Sequence, residues 1–456
     1  MREGGLEAPK RHPIAWQDED FYDAEKLDAE LRRVFDICHG CRRCFNLCDS
    51  FPRLFDLIDA APSGELDSVN SADFAPVADA CTLCDLCFMT KCPYVPPHPF
   101  ALDFPHLMLR QRAVAARANG VGLADRELAR TDRNGLLATL AAPLANWATK
   151  TENRLARKVL EAGAGLHREA ELPRYAGHSL TIAAAANPPA LNREAPAFGR
   201  KAVLYATCFG NYNDPATGLA ARAVLARNGV ETDVVHPRCC GMPLLEQGLL
   251  GEVAAHAEEV ARELGAWIAR GYDVIALVPS CALMLKFEWP LLLPEDGAVR
   301  GLANATYDVS EYIVDIARKE GLAPGLRAVP GGVTLHMACH ARAQNMGQKA
   351  AEMLRLIPEL DIAVVERCSG HGGAWGFKTE HFPVALKVGR PAARAVKNAG
   401  QRFVTSECPL AGAHLRQIMT REIMTREVGA ENAVPTLLSH PIRLLAESYG
   451  IEPETA

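Results

Sequence analysis

Residues 38 to 92 carry two cysteine runs, C-x2-C-x2-C-x3-C (Cys38, Cys41, Cys44, Cys48) and C-x2-C-x2-C-x4-C-P (Cys81, Cys84, Cys87, Cys92, Pro93). Thiolates at i, i+3 and i+6 wrap three corners of an iron-sulfur cubane from one tight loop, and a more distant cysteine must supply the fourth. Where two such runs occur together, the fourth cysteine of each ligates the other cluster. The spacing therefore predicts one 4Fe-4S cluster on Cys38, Cys41, Cys44 and Cys92, and a second on Cys81, Cys84, Cys87 and Cys48. Structural zinc uses cysteine pairs, in which the third member of each triplet has no place. Disulfides would suit a short secreted chain, whereas this one has 456 residues and reads as lacking a signal peptide. Asp49 follows Cys48 where a proline is usual, which changes the loop and keeps the thiolate.

The length accommodates two or three domains, and 49% hydrophobic with 23% charged residues is ordinary for a globular protein. A net charge of -6 gives no reason to expect nucleic acid as a partner. The 15 cysteines point to a reducing compartment. No run approaches the length of a membrane span. The expected location is cytoplasmic, with peripheral attachment to the inner face of the membrane left open.

In chain order, residues 1 to 22 read as a mobile lead-in. Leu27, Leu31, Val34 and Phe35 then mark an amphipathic helix that delivers the chain to Cys38. A short helix is expected over 51–59, a loop over 63–75, and a domain end at the prolines after Cys92. Residues 100 to 198 show helical patterns and no cysteine. Phe104, Leu107, Met108 and Val114 mark one helix, and Leu137, Leu140, Leu144 and Trp147 another that contains Pro143. The second stripe reads first as core. Its tryptophan, with Lys150 and Arg154 just beyond, also suits a membrane surface. Residues 184–197 read as a linker.

From residue 199 strands and helices alternate: strands over 202–206, 232–235 and 274–278, helices over 216–227 and 252–270. The order repeats with strands at 333–337, 362–365 and 403–405 and helices at 348–356 and 383–397. This predicts two parallel sheets covered by helices, a domain duplicated at about 130 residues. A tandem Ile-Met-Thr-Arg-Glu at 418–427 is a local duplication within a helix. Each half has cysteines just after its strands: Cys208, Cys239, Cys240 and Cys281, then Cys339, Cys368 and Cys408. Ligands of open parallel sheets gather at the carboxyl ends of strands, so each set is expected to converge on one metal site. The first has four thiolates. The second has three, because Ser369 stands where Cys240 stands, and His340, His371 or an exogenous molecule is left open as its fourth ligand. Each site could take a further iron-sulfur cluster or zinc. The glycine-rich stretch 369–376 lacks the order of a phosphate loop and suits tight backbone packing. Gly163-Ala164-Gly165 fails the dinucleotide fingerprint, so no flavin or nicotinamide site is read here.

These residues resemble a known family: the iron-sulfur subunits with two cysteine-rich CCG domains, including the C subunit of anaerobic glycerol-3-phosphate dehydrogenase, glycolate oxidase iron-sulfur subunits and heterodisulfide reductase subunits. The matching segments are the two cysteine runs, Cys239-Cys240-Gly241-Met242-Pro243, Cys339-His340-Ala341-Arg342-Ala343-Gln344-Asn345, Cys368-Ser369-Gly370-His371-Gly372 and Glu407-Cys408-Pro409-Leu410. The resemblance implies an α plus α/β chain: a helical two-cluster ferredoxin-like domain (1–99), a helical insert (100–198) and two α/β CCG domains (199–327 and 328–456). It also implies an oxidoreductase subunit that takes electrons from a flavoprotein dehydrogenase and passes them toward a quinone. Heterodisulfide reductases carry two complete CCG motifs, each with an additional C-x2-C ending. This chain lacks a second cysteine near Cys281 and Cys408, which favours relay over disulfide cleavage. A thiol-disulfide reductase acting at the second site and a redox-responsive metal-binding scaffold are the alternatives.

Overall fold

The computed structural model describes residues 7–425 and 434–451, with the backbone alone for 423–425. Its centre is a parallel sheet of Lys201–Tyr205 (β1), Glu231–Val235 (β2), Asp273–Ala276 (β3) and Thr306–Asp308 (β4), in the order β2-β1-β3-β4. The same arrangement recurs with Val333–His336 (β5), Ile362–Val365 (β6), Phe403–Ser406 (β7) and Thr436–Leu438 (β8), in the order β6-β5-β7-β8. All pairings are parallel. The short β4 and β8, each at a sheet edge, go beyond the three strands per half expected from sequence. Three residues are too few for a periodic signal.

Side chains of β1 and β3 alternate between two different cores, as the period of a strand requires. Val203, Tyr205, Val274 and Ala276 face a core shared with the cysteine-run region, while Ala202, Leu204 and Ile275 face one shared with the second sheet. The inner strands β1 and β3 are thus buried on both faces and join the two halves of the molecule. At ~25 cal/mol per Å² of apolar burial, such a plate contributes strongly to cohesion.

The helix Ala24–Cys41 forms as expected: Asp23 caps it by accepting from Lys26 N, and Leu27, Leu31, Val34 and Phe35 are buried. Arg42 ends it in the left-handed conformation, so Cys38 and Cys41 lie in its last turn and Cys44 just beyond. The helix Ser50–Asp59 and the helix Phe104–Asn119 also follow the sequence reading.

Three expectations need correction. The lead-in is a strap: Ile14 N donates to Leu291 O at 2.8 Å, Trp16 Nε1 to Leu292 O at 2.8 Å, and Arg11 pairs with Asp85 (2.6 Å), Asp103 (3.0 Å) and Glu288 (2.9 Å). Burial alone would lower the Arg11 pKa, but those three carboxylates outweigh it and hold it well above the usual value. Partners this distant leave no local pattern. The stripe through Trp147 belongs to two helices, Thr131–Leu140 and Ala142–Thr149, with Pro143 in the first turn of the second, where a missing N–H costs nothing. It is not core: Leu140 is 77% exposed, Leu144 64% and Trp147 57%. The next helix, Arg154–Ala164, likewise turns Leu155 and Val159 outward while Arg157 is buried, donating to the carbonyls of His167, Arg168 and Ala170. The supposed linker is packed, with Ala184, Ala195 and Ala197 buried and Asn192 N donating to Ala226 O at 3.0 Å. The second copy of the tandem repeat runs past the described residues.

Arg11→Ala should cost about 3 kcal/mol, because it strands Asp85 as a buried charge and leaves Glu288 with His106 alone, at 3.1 Å. Urea unfolding of the full chain measures this, and a loss under 1 kcal/mol would mean that the strap does not bear on stability.

Candidate metal centres

The first three cysteines of the first run and Cys92 meet in one cavity, lined by Cys38, Cys41, Cys44 and Cys92 together with Ile37, Phe51, Phe55, Tyr94 and Leu102. Burial first, then the sulfurs of Cys92, Cys44 and Cys41, hold the Cys38 thiol well above its ordinary pKa. Burial and then Cys92 and Cys41 push Cys44 up to about 12. In the second group, burial and then Cys84 and Cys81 raise Cys48, and burial and then Cys84, Cys81, Cys48 and Cys44 raise Cys87. The fourth cysteine of each run therefore lies among the first three of the other.

Around Cys84 the backbone winds left-handed at Leu83 (φ 49°) and Asp85 (φ 63°), a costly conformation for residues other than glycine. Arg11 reaches both Asp85 carboxylate oxygens, at 2.9 and 2.6 Å, and so holds this turn. Nothing in the spacing of residues 81–92 signals that clamp.

In the first α/β half the thiols follow β1, β2 and β3. Cys239 Sγ lies 3.8 Å from Cys208 Sγ, and Cys240 Sγ 3.2 Å from Cys281 Sγ. Hydrogen bonding with the Cys208 and Cys240 thiols draws Cys239 well below its ordinary pKa. The loop is fixed by contacts that sequence reasoning missed. Cys239 N donates to Asp132 at 2.7 Å, Trp289 Nε1 to Cys240 O at 3.2 Å, and His256 Nδ1 meets Cys239 O at 2.9 Å. Asp132 comes from the insert, so that region buttresses the site.

In the second half Cys339, Cys368 and Cys408 follow β5, β6 and β7. Burial first, then Cys84, Cys368 and Cys408, raise the Cys339 pKa. Gly370 N lies 3.3 Å from Cys368 Sγ. Gly370 has φ 77°, and a Cβ there would stand 2.1 Å from Ala385 O, so the glycine stretch serves close packing as expected. Of the two histidines considered, His340 has both ring nitrogens engaged, Nδ1 with Ser280 Oγ at 2.8 Å and Nε2 with Leu83 O at 3.2 Å. His371 Nδ1 is buried with no hydrogen-bond partner among the described residues, and burial holds its pKa at about 3. Among those residues no group of three or more His, Cys, Asp or Glu is set to hold a single metal ion.

The groups adjoin one another. Cys44 stands near Cys87, Cys84 near Cys368 and Cys339, and Cys408 near Cys281.

The cysteine-rich CCG domain model matches residues 202–286 and 333–416, the two stretches that place the strand-end thiols. The chain thus carries two copies of this domain. Over 331 residues it is 27% identical to the C subunit of anaerobic glycerol-3-phosphate dehydrogenase from Escherichia coli (strain K12), covering 70% of this chain and 76% of that protein. It is also 27% identical over 213 residues to lactate utilization protein A of Bacillus pumilus (strain SAFR-032), covering 45% of this chain and 85% of that one. These matches agree with the resemblance to the C subunit of anaerobic glycerol-3-phosphate dehydrogenase read from the cysteine segments.

His336, behind the second site, bonds Ser406 Oγ and Arg367 O, both at 2.9 Å, and burial lowers its pKa from 6.5 to about 4. A base whose folded pKa is depressed adds stability above its unfolded value and loses it as pH falls. The stability gap between wild type and His336→Gln should therefore shrink below pH 6.5, by about 1.4 kcal/mol per pH unit down to about pH 4. Urea midpoints of both proteins across that window check it; a constant gap would refute it.

Proposed function

We propose that this chain is an iron-sulfur electron-transfer subunit that receives electrons from a flavoprotein dehydrogenase and passes them toward a quinone. The observation that carries the reading is that the thiol groups from Cys92 to Cys208 follow one another closely enough for sulfurs of successive groups to interact electrostatically. Cys38, Cys41, Cys44 and Cys92 would hold one 4Fe-4S cluster, and Cys81, Cys84, Cys87 and Cys48 the other. The residues present fit this: four thiols line one largely apolar cavity, and thiolate is the donor of iron-sulfur clusters. When bound, such clusters supply one-electron carriage. Cys208, Cys239, Cys240 and Cys281 would hold a further cluster or zinc, as would Cys339, Cys368 and Cys408 with an added ligand. The divisions after residues 99, 198 and 327 belong to the same reading.

The chain's own part is to bury, orient and tune. Phe51, Phe55, Tyr94 and Leu102 exclude water from the first group, and Arg11 holds the turn of the second. Asp132, His256 and Trp289 set the loop of the third. The similar protein of Escherichia coli is named as one subunit of a dehydrogenase, which supports a dehydrogenase partner here.

The full chain should show reducible iron-sulfur signals in electron paramagnetic resonance. Cys92→Ser should remove those of one ferredoxin-type cluster while sparing the other, and the iron content should fall by about four atoms. A chain without reducible signals would refute the relay.

Peripheral membrane contact is supported by the outward Leu137, Leu140, Leu144, Trp147, Leu155 and Val159. No helix among the described residues is long and apolar enough to cross a membrane, so contact would lie at the interface. Leu140→Asp with Leu144→Asp should lower sedimentation with anionic phospholipid vesicles at least about tenfold, since these side chains would otherwise bury in lipid. Unchanged sedimentation would exclude this face.

A further inference from the structure

The surface over the first thiol group differs from the rest of this acidic chain. Cys41, Cys44 and Cys92 are only partly buried. Exposed Arg43 and Lys91 place positive charge beside the Cys44 sulfur, and neither makes an ion pair among the described residues. Phe45, between Cys44 and Cys48, is 50% exposed, yet its ring lies parallel to buried Phe55 with centroids 6.3 Å apart, which limits its freedom. An open groove of about 560 Å³ continues past Lys91 and Cys92 along Phe88 and Met89, and among the described residues Glu7 is the one acid that lines it.

An oriented, half-exposed aromatic ring beside an arginine is the kind of anchor that protein-binding hot spots use, and the lysine adds charge at its rim. Unpaired cations on a chain of net charge -6 gain most from an acidic partner and repel a basic one. The adjoining sulfurs make this face a short approach to the first thiol group from outside. The exposed face at residues 137–159 is of another kind: Lys150, Arg154 and Lys158 lie among its outward apolar residues, but the stretch contains no cysteine.

We propose that the face built by Arg43, Phe45 and Lys91 is the docking site for an acidic surface of the electron-donating partner protein. This deepens the relay reading and rests on it for the identity of the partner. Arg43 and Lys91 steer the approach, and Phe45 anchors the complex once formed.

The test has two arms on the full chain. In the first, dithionite-reduced protein is oxidised by ferricyanide, an anion, or hexaammineruthenium(III), a cation, and the return of visible absorbance is timed. Ferricyanide should be slowed about tenfold between 20 mM and 500 mM salt, and Arg43→Glu with Lys91→Glu should reverse this dependence. A field set by the net charge would instead favour the cation in wild type, and that result overturns the proposal. In the second arm a fluorescent oligoglutamate peptide is titrated against the chain. Binding should weaken about tenfold in the double variant, and Phe45→Ala should weaken it without changing its salt dependence. Equal binding by wild type and the double variant overturns the proposal. A chain with no reducible clusters would fail the relay reading alone and leave the peptide arm to decide this one.

Discussion

The burial of β1 and β3 on both faces is the constraint from which the rest of the architecture follows. β1 and β3 alternate between two cores, one reaching back to the cysteine runs and one forward to the second sheet. A strand with apolar residues on both sides cannot leave either face to water, so both neighbours must dock. Docking brings the carboxyl ends of two sheets and the two cysteine loops into one region. The proximity of successive thiol groups is a result of that packing.

The strand-end placement explains how cysteines more than 60 residues apart can meet without a continuous motif. In an open parallel sheet the loops after neighbouring strands converge where the order of connections reverses, and Cys208, Cys239 and Cys281 all leave from there. Duplication then produces a second convergence. The two are not equivalent, since the first has a cysteine pair and an acidic buttress from the insert, Asp132. The second has Ser369 and a buried, uncharged His371.

Much of this was legible in the residue pattern. Leu27, Leu31, Val34 and Phe35 announced their helix, and β6 runs over the residues expected of it, because periodicity and local propensity agree there. The meeting of Cys92 with Cys38 followed from thiol spacing alone. What escaped was set by tertiary partners. Arg11 looks like any charged residue of a polar terminus, and only Asp85, Asp103 and Glu288 give it a role. The stripe of leucines at 137–144 has the period of a core helix, and periodicity marks an apolar face without saying what lies against it. Pro143 could have warned that the pattern spans two helices.

The strap has a consequence for the order in which the molecule is assembled. Arg11 and Glu288 are 277 positions apart, so during synthesis from the amino end the arginine emerges long before its last carboxylate exists. Both cysteine loops are then complete while the clamp on the turn at Asp85 is still open. A segment made early is thus among the last to be locked, and the turn around Cys84 stays unclamped until it is.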